Sequence, residues 1–159
     1  MTGQPQLTNP PPAPVFPPGF FVDMTKLTVR QLGVETTIVR VSLPIDVSAT
    51  LQAFGFALAV AASVTYTITY FFESFGPGAE GTLGNVPGNL NSGGIPSPTN
   101  IGATEWNDTT IPPTTYTIPA NTLVAGQTIK ITAIASLGTG GFFGNGSAFV
   151  EGPVIQTQA

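Results

Sequence analysis

Residues 64–72, VTYTITYFF, alternate Val64, Tyr66, Ile68, Tyr70 and Phe72 with Thr65, Thr67 and Thr69. Side chains of an extended chain point to opposite faces in turn, so this period of two separates an apolar set from a hydroxyl set and predicts a strand buried on one side. A helix would scatter both sets around its circumference.

The same period recurs. Residues 34–41, VETTIVRV, set Val34, Thr36, Ile38 and Arg40 against Glu35, Thr37, Val39 and Val41, and most of these residues are β-branched. Residues 128–137, TIKITAIASL, put Ile129, Ile131, Ala133, Ala135 and Leu137 on one face. Shorter strand candidates are 27–31, 51–60, 114–118 and 147–156. In the last of these Pro153 has no N–H for a central ladder and belongs at a bulge or an edge. No window repeats apolar residues at i, i+3, i+4, i+7 over three turns, and 19 Gly and 16 Pro punctuate the chain. The expected fold is all-β, with seven or eight strands in a two-sheet antiparallel β-sandwich of jelly-roll or immunoglobulin-like type. The sandwich would occupy residues 23–159, preceded by an extended arm, 1–22. Residues 76–113, rich in Gly, Pro, Asn, Ser and Thr without periodicity, read as one long irregular insertion. GTGGFFGNG, residues 138–146, reads as a loop tip in which Asn145-Gly146 makes a tight turn and Phe142 and Phe143 are exposed or packed on a neighbour.

Charge narrows the function classes. The 159 residues carry four basic and eight acidic side chains, a net charge of -4. Lys26, Arg30, Arg40 and Lys130 are too few and too scattered to displace counterions from phosphates, which argues against nucleic acid as a partner. At 8% charged residues, the surface must be hydroxyl, amide, glycine and exposed apolar atoms. Such a surface repels its own copies weakly and suits a subunit packed in an assembly. With no Cys and no His, the chain has no disulfide, no thiolate or imidazole metal ligand, and no side chain poised for proton transfer near neutrality. The acids are dispersed; only Glu105 and Asp108 are near neighbours, and they read as solvated loop acids. The glycines of 138–146 lack the Lys and Ser/Thr of a phosphate-binding loop. We therefore expect no catalytic site, cofactor or metal.

Residues 47–72 contain no charge and exceed the ~20 residues of a membrane-spanning helix, but their second half has the strand period, so no membrane partner is expected. The N-terminus, MTGQPQLTNPPP, lacks the positive and apolar regions of a secretory signal, and the chain is expected to be made and kept in a cytoplasm.

NPPPAPVFPPGFF, residues 9–21, holds six prolines and three phenylalanines. Proline fixes φ near the polyproline II value, so this segment stays extended and loses little entropy on docking. Val15, Phe16, Phe20 and Phe21 are its apolar anchors, and a disordered tail rarely carries such residues. Trp106, the single tryptophan, is expected to close an end of the sandwich, plug an interface or stack on a sugar.

Residues 116–138, YTIPANTLVAGQTIKITAIASLG, run through a short strand, IPANTL, a glycine turn AGQ and a long alternating strand. This stretch resembles the late strands of jelly-roll and immunoglobulin-like modules in phage structural proteins, including capsid decoration (cement) proteins and fibre subunits. The resemblance implies a non-enzymatic subunit of a virion, assembled in the host cytoplasm, that clamps neighbouring protein subunits and associates with copies of itself. Its contact residues would be Val15, Phe16, Phe20, Phe21, Trp106, Phe142 and Phe143. The alternative is a glycan-binding or adhesive module of a cell-surface or extracellular fibre protein, using residues 76–113 and Trp106.

Overall fold

A computed structural model describes residues 21–54, 65–89, 105–107, 114–138 and 145–159. Every regular element among them is a strand: β1 Phe21–Gln31, β2 Val34–Glu35, β3 Ile38–Arg40, β4 Ile45–Phe54, β5 Thr65–Ser74, β6 Gly81–Asn89, β7 Glu105–Asn107, β8 Tyr116–Ile118, β9 Thr128–Gly138 and β10 Asn145–Gln158. They form two five-stranded sheets. The first runs β2-β1-β4-β7, with β8 also paired to β4, and the second runs β3-β10-β9-β5-β6. All pairings are antiparallel except that of β3 with β10. No helix among the described residues is long and apolar enough to cross a membrane.

The period of two decides what lies between the sheets. Tyr66, Ile68 and Tyr70 of β5 are buried, as are Ile129, Ile131, Ala133 and Ala135 of β9. They join Met24, Leu27 and Val29 of β1 and Ile45, Val47 and Leu51 of β4 in one core cluster. Each fully buried Ile, Leu or Val contributes about 1.5–3 kcal/mol. Tyr70 also ties the layers together. Its hydroxyl donates to the carbonyl of Thr114, just ahead of β8 in the opposite sheet, and its ring stacks on Tyr116 at 6.5 Å between centroids. Burial pushes the Tyr70 hydroxyl well above the usual tyrosine pKa and raises that of Tyr66 in the same direction.

The structure corrects the sequence reading in three places. Residues 34–41 are not one strand. The chain breaks at Thr36 and Thr37, so β2 closes a hairpin with β1 while β3 crosses to the second sheet and lies parallel to β10. Thr36 holds this corner, its Oγ1 donating to the Ile38 carbonyl at 2.9 Å and accepting from the Ile38 N–H at 3.1 Å. Four short strands of two or three residues raise the number of elements to ten.

Residues 76–113, expected to be irregular, contain β6 and β7. β6, GTLGNVPGN, has the composition of a loop yet pairs along β5, with Tyr66 opposite Gly88 and Tyr70 opposite Gly84. A Cβ at Gly88 would stand 2.2 Å from Cζ of Tyr66, and one at Gly84 would stand 2.2 Å from Cζ of Tyr116. Glycine is needed there because tyrosine rings lie across the strand. Pro87 is accommodated because β6 is an edge strand.

The third correction concerns Asn145 and Gly146. They stand inside β10, opposite Gly138 and Leu137, so the connection from β9 is residues 139–144 and not a two-residue turn at Asn145-Gly146. The tight turn of this kind is instead Leu32-Gly33, both with positive φ, between β1 and β2. Pro153 does sit in a bulge: the β9–β10 register shifts between Glu151 and Val154. The AGQ turn also forms, with Gly126 at φ 81° and the buried Thr157 hydroxyl donating to the Val124 carbonyl at 2.7 Å.

Candidate interaction surface

The two outward faces differ in chemistry. On the first sheet, β1 and β4 set Thr28 opposite Ser48, with 2.9 Å between their hydroxyl oxygens, and Arg30 opposite Asp46. The Thr117 hydroxyl donates to Asp46 Oδ1 at 2.6 Å. These described positions of the face are polar, and Thr28 with Ser48 and Thr117 with Asp46 satisfy one another.

The outward face of the second sheet is different. Phe149 of β10 stands directly opposite Ile134 of β9, and Ile134 is opposite Thr69 of β5 on its other side. Phe149 is 55% exposed, Ile134 37% and Val154 45%. Phe71, half-buried, is opposite Thr132 and so diagonal to Ile134, within reach of an aromatic side chain across a sheet. Hydroxyl residues surround the ridge: Thr67, Thr69, Thr132, Ser136 and Ser147. Lys130, opposite Val154, and Glu151, between Phe149 and Val154 on β10, form an ion pair at 2.8 Å that interrupts the ridge. Beside Phe71 an open depression of about 530 Å³ is lined by Glu73, Glu80, Thr82 and Thr132.

Sequence reasoning missed this face although part of the signal was there. Assigning Ile129, Ile131, Ala133 and Ala135 to the core leaves Lys130, Thr132, Ile134 and Ser136 outside, and Ile134 is the apolar member of a polar set. Phe149 gave no such signal, because Ala148, Phe149 and Val150 are all apolar and their alternation is silent.

Of the contact residues expected from sequence, Phe21 and Trp106 fall in described strands. Phe21 opens β1 opposite Phe54, and Trp106 is in β7 opposite Ala53, so the two flank the end of β4 from either side. Val15, Phe16, Phe20, Phe142 and Phe143 lie outside the described residues. The points where their segments join the described chain are nevertheless placed. The Phe21–Phe54–Glu105 register marks one end of the first sheet, and Asn89–Thr65–Gly138–Asn145 marks one end of the second. The opposite ends are tied together, Gln31 of β1 donating through Nε2 to the Arg40 carbonyl of β3 at 2.8 Å and accepting at Oε1 from the Arg40 N–H at 2.9 Å. Both marked ends therefore face the same way, and the segments 1–20, 55–64, 90–104 and 139–144 all attach at that end.

Among the described residues, no group of three or more acids, histidines or cysteines is placed to hold a metal ion. Lys26 and Lys130 are each engaged by a glutamate, at 3.8 and 2.8 Å. No protein-family model matches the chain, and neither a curated protein nor a solved structure gives a significant match.

Proposed function

We propose that this protein is a non-enzymatic structural subunit of a large protein assembly, of the capsid decoration type, with its two sheets forming a sandwich of jelly-roll or immunoglobulin-like kind. In this reading the expected arm of residues 1–22, shortened to 1–20 because β1 already takes in Phe21 and Val22, anchors the subunit to neighbouring protein, in a virion shell put together in the host cytoplasm. The observation that carries it is the outward face of the second sheet, where Phe149, Ile134 and Val154 stand exposed on a chain with 8% charged residues. A free monomer with so little charge is poorly protected against self-association, whereas a subunit covered by neighbours has no such difficulty.

The reading is tested by mass-resolved chromatography of the full chain and of a chain lacking residues 2–19. The full chain is expected to associate, and to do so equally at low and high salt, because the arm has no charged side chain to screen. The shortened chain should melt within a few degrees of the full one yet lose association. A discrete monomer that binds a glycan, or an arm whose removal leaves association intact, would overturn the proposal.

A further inference from the structure

We propose that the outward face of the second sheet receives the Pro-rich segment 9–20 of a second copy of this chain. This rests on the reading of that segment as an anchoring arm and adds where on the neighbour it lands.

Shape and length fit. The ridge of Phe149, Ile134 and Phe71 with Val154 further along β10 is an aromatic and aliphatic strip on a flat face. Aromatic-lined surfaces are what proline-rich extended segments dock against, since such a segment reaches its bound form without much ordering cost. Residues 9–20 in polyproline II form span roughly 37 Å at about 3.1 Å per residue. β10 has 14 residues, about 46 Å at 3.3 Å per residue. The arm is therefore long enough to cover the strip from Phe149 past Val154.

Charge fits as well. Residues 9–20 carry no charged side chain, Lys130 and Glu151 on the face are paired with each other, and the remaining acids, Glu73 and Glu80, line the open depression to one side of the Phe149–Ile134 pair. Docking over Phe149 and Ile134 leaves those two acids in water, whereas an unpaired charge in a dry contact would be costly.

The donor is a second copy because of where the arm joins the fold. Phe21 opens a strand of the first sheet, the opposite layer from this face. A chain returning to its own second sheet must pass from one layer to the other, and the prolines of 9–18, whose rings hold φ near −65°, favour an extended course over such a return. An extended arm meets a neighbour instead. An arm-to-face contact joins two different surfaces, so successive copies build a closed ring or an open polymer.

The chain has no cysteine, so Ala13→Cys provides a unique site for a nitroxide spin label. Unlabelled chain carrying the nitroxide is mixed with ¹⁵N-labelled chain that lacks it, and amide broadening is read in the ¹⁵N copy. Broadening is expected at Thr69, Ile134 and Phe149, and Phe149→Asp or Phe149→Thr should weaken association at least tenfold while the spectrum of the core stays unchanged. Phe16→Ala should weaken it to a similar extent. No broadening in the ¹⁵N copy of the mixture, with broadening of this face when a ¹⁵N-labelled chain itself carries the nitroxide and is diluted in unlabelled chain, would mean that each chain covers its own face, and would overturn the inference. Broadening elsewhere on the neighbour, with association still lost in Phe16→Ala, would overturn this docking site and leave the anchoring arm standing. Association indifferent to Phe16→Ala would overturn both.

Discussion

Gly88 and Leu32 show opposite relations between a residue and its backbone. Gly88 is present because the space for a side chain is already filled by the Tyr66 ring, itself 2% exposed and unable to swing away. Gly88→Ala is expected to cost about 1–3 kcal/mol as an overpacked contact. Gly81→Ala is the control, since a Cβ there meets only Cε1 of Phe72 at 3.6 Å, and denaturant titration of both separates close approach from the general cost of replacing a strand glycine. At position 32 the fault lies in the side chain. Leu32 holds φ at 53° beside Gly33 at 79°, and its side chain is 78% exposed, so it gains nothing from burial to offset the left-handed conformation. Leu32→Asn is expected to stabilise the protein by about 0.5–1 kcal/mol, read as a raised denaturation midpoint at unchanged slope.

At the level of elements, β5 and β9 were legible because their two faces differ in chemistry. Alternation of Tyr and Ile with Thr has one reading, and burial follows it from Thr65 to Tyr70 and from Ile129 to Ala135, while Phe72 is only partly buried. β6 was not legible, because its glycines make sense only against the tyrosines of β5 and β8, and spacing along one strand does not disclose what lies across from it. The break between β2 and β3 was hidden for another reason: Thr36 and Thr37 are good strand formers, and what bends the chain there is a side-chain hydrogen bond back to Ile38. Of the interaction surface, Ile134 was readable and Phe149 was not. The link between the layers through β5 has a pH signature. The Tyr70 hydroxyl has a raised pKa in the folded protein, so its neutral form is favoured there over the unfolded chain, where tyrosine ionises near its usual value of 10.0. Stability should be flat with respect to this group below pH 10 and fall above it by about 1.4 kcal/mol per pH unit, with Tyr66 adding in the same direction. Melting temperatures between pH 8 and pH 12 test this. Tyr70→Phe should lower the plateau by about 1–3 kcal/mol, because the Thr114 carbonyl loses its donor, and make the alkaline decline shallower.

At the scale of the whole molecule, β10 lies between β9 and β3 in the second sheet and also packs against β1. Removing residues 152–159 would take away Ile155, which is fully buried, the Thr157 hydroxyl that holds the 124–127 turn, and the whole partner of β3. The shortened chain is expected to show no cooperative unfolding transition by circular dichroism, in contrast to the N-terminally shortened chain. This arrangement also sets an order of events during synthesis. β3 leaves the ribosome more than a hundred residues ahead of the segment it must lie beside, several seconds at about 5–20 residues per second. Throughout that interval the nascent chain holds an unfinished sheet with open edges, which makes it a client for chaperones and a target for proteases. A ribosome that stops short of residue 158 releases a polypeptide that cannot close its core. Translation itself thus acts as an inspection step, since a chain not completed through β10 lacks the strand that joins β9 to β3.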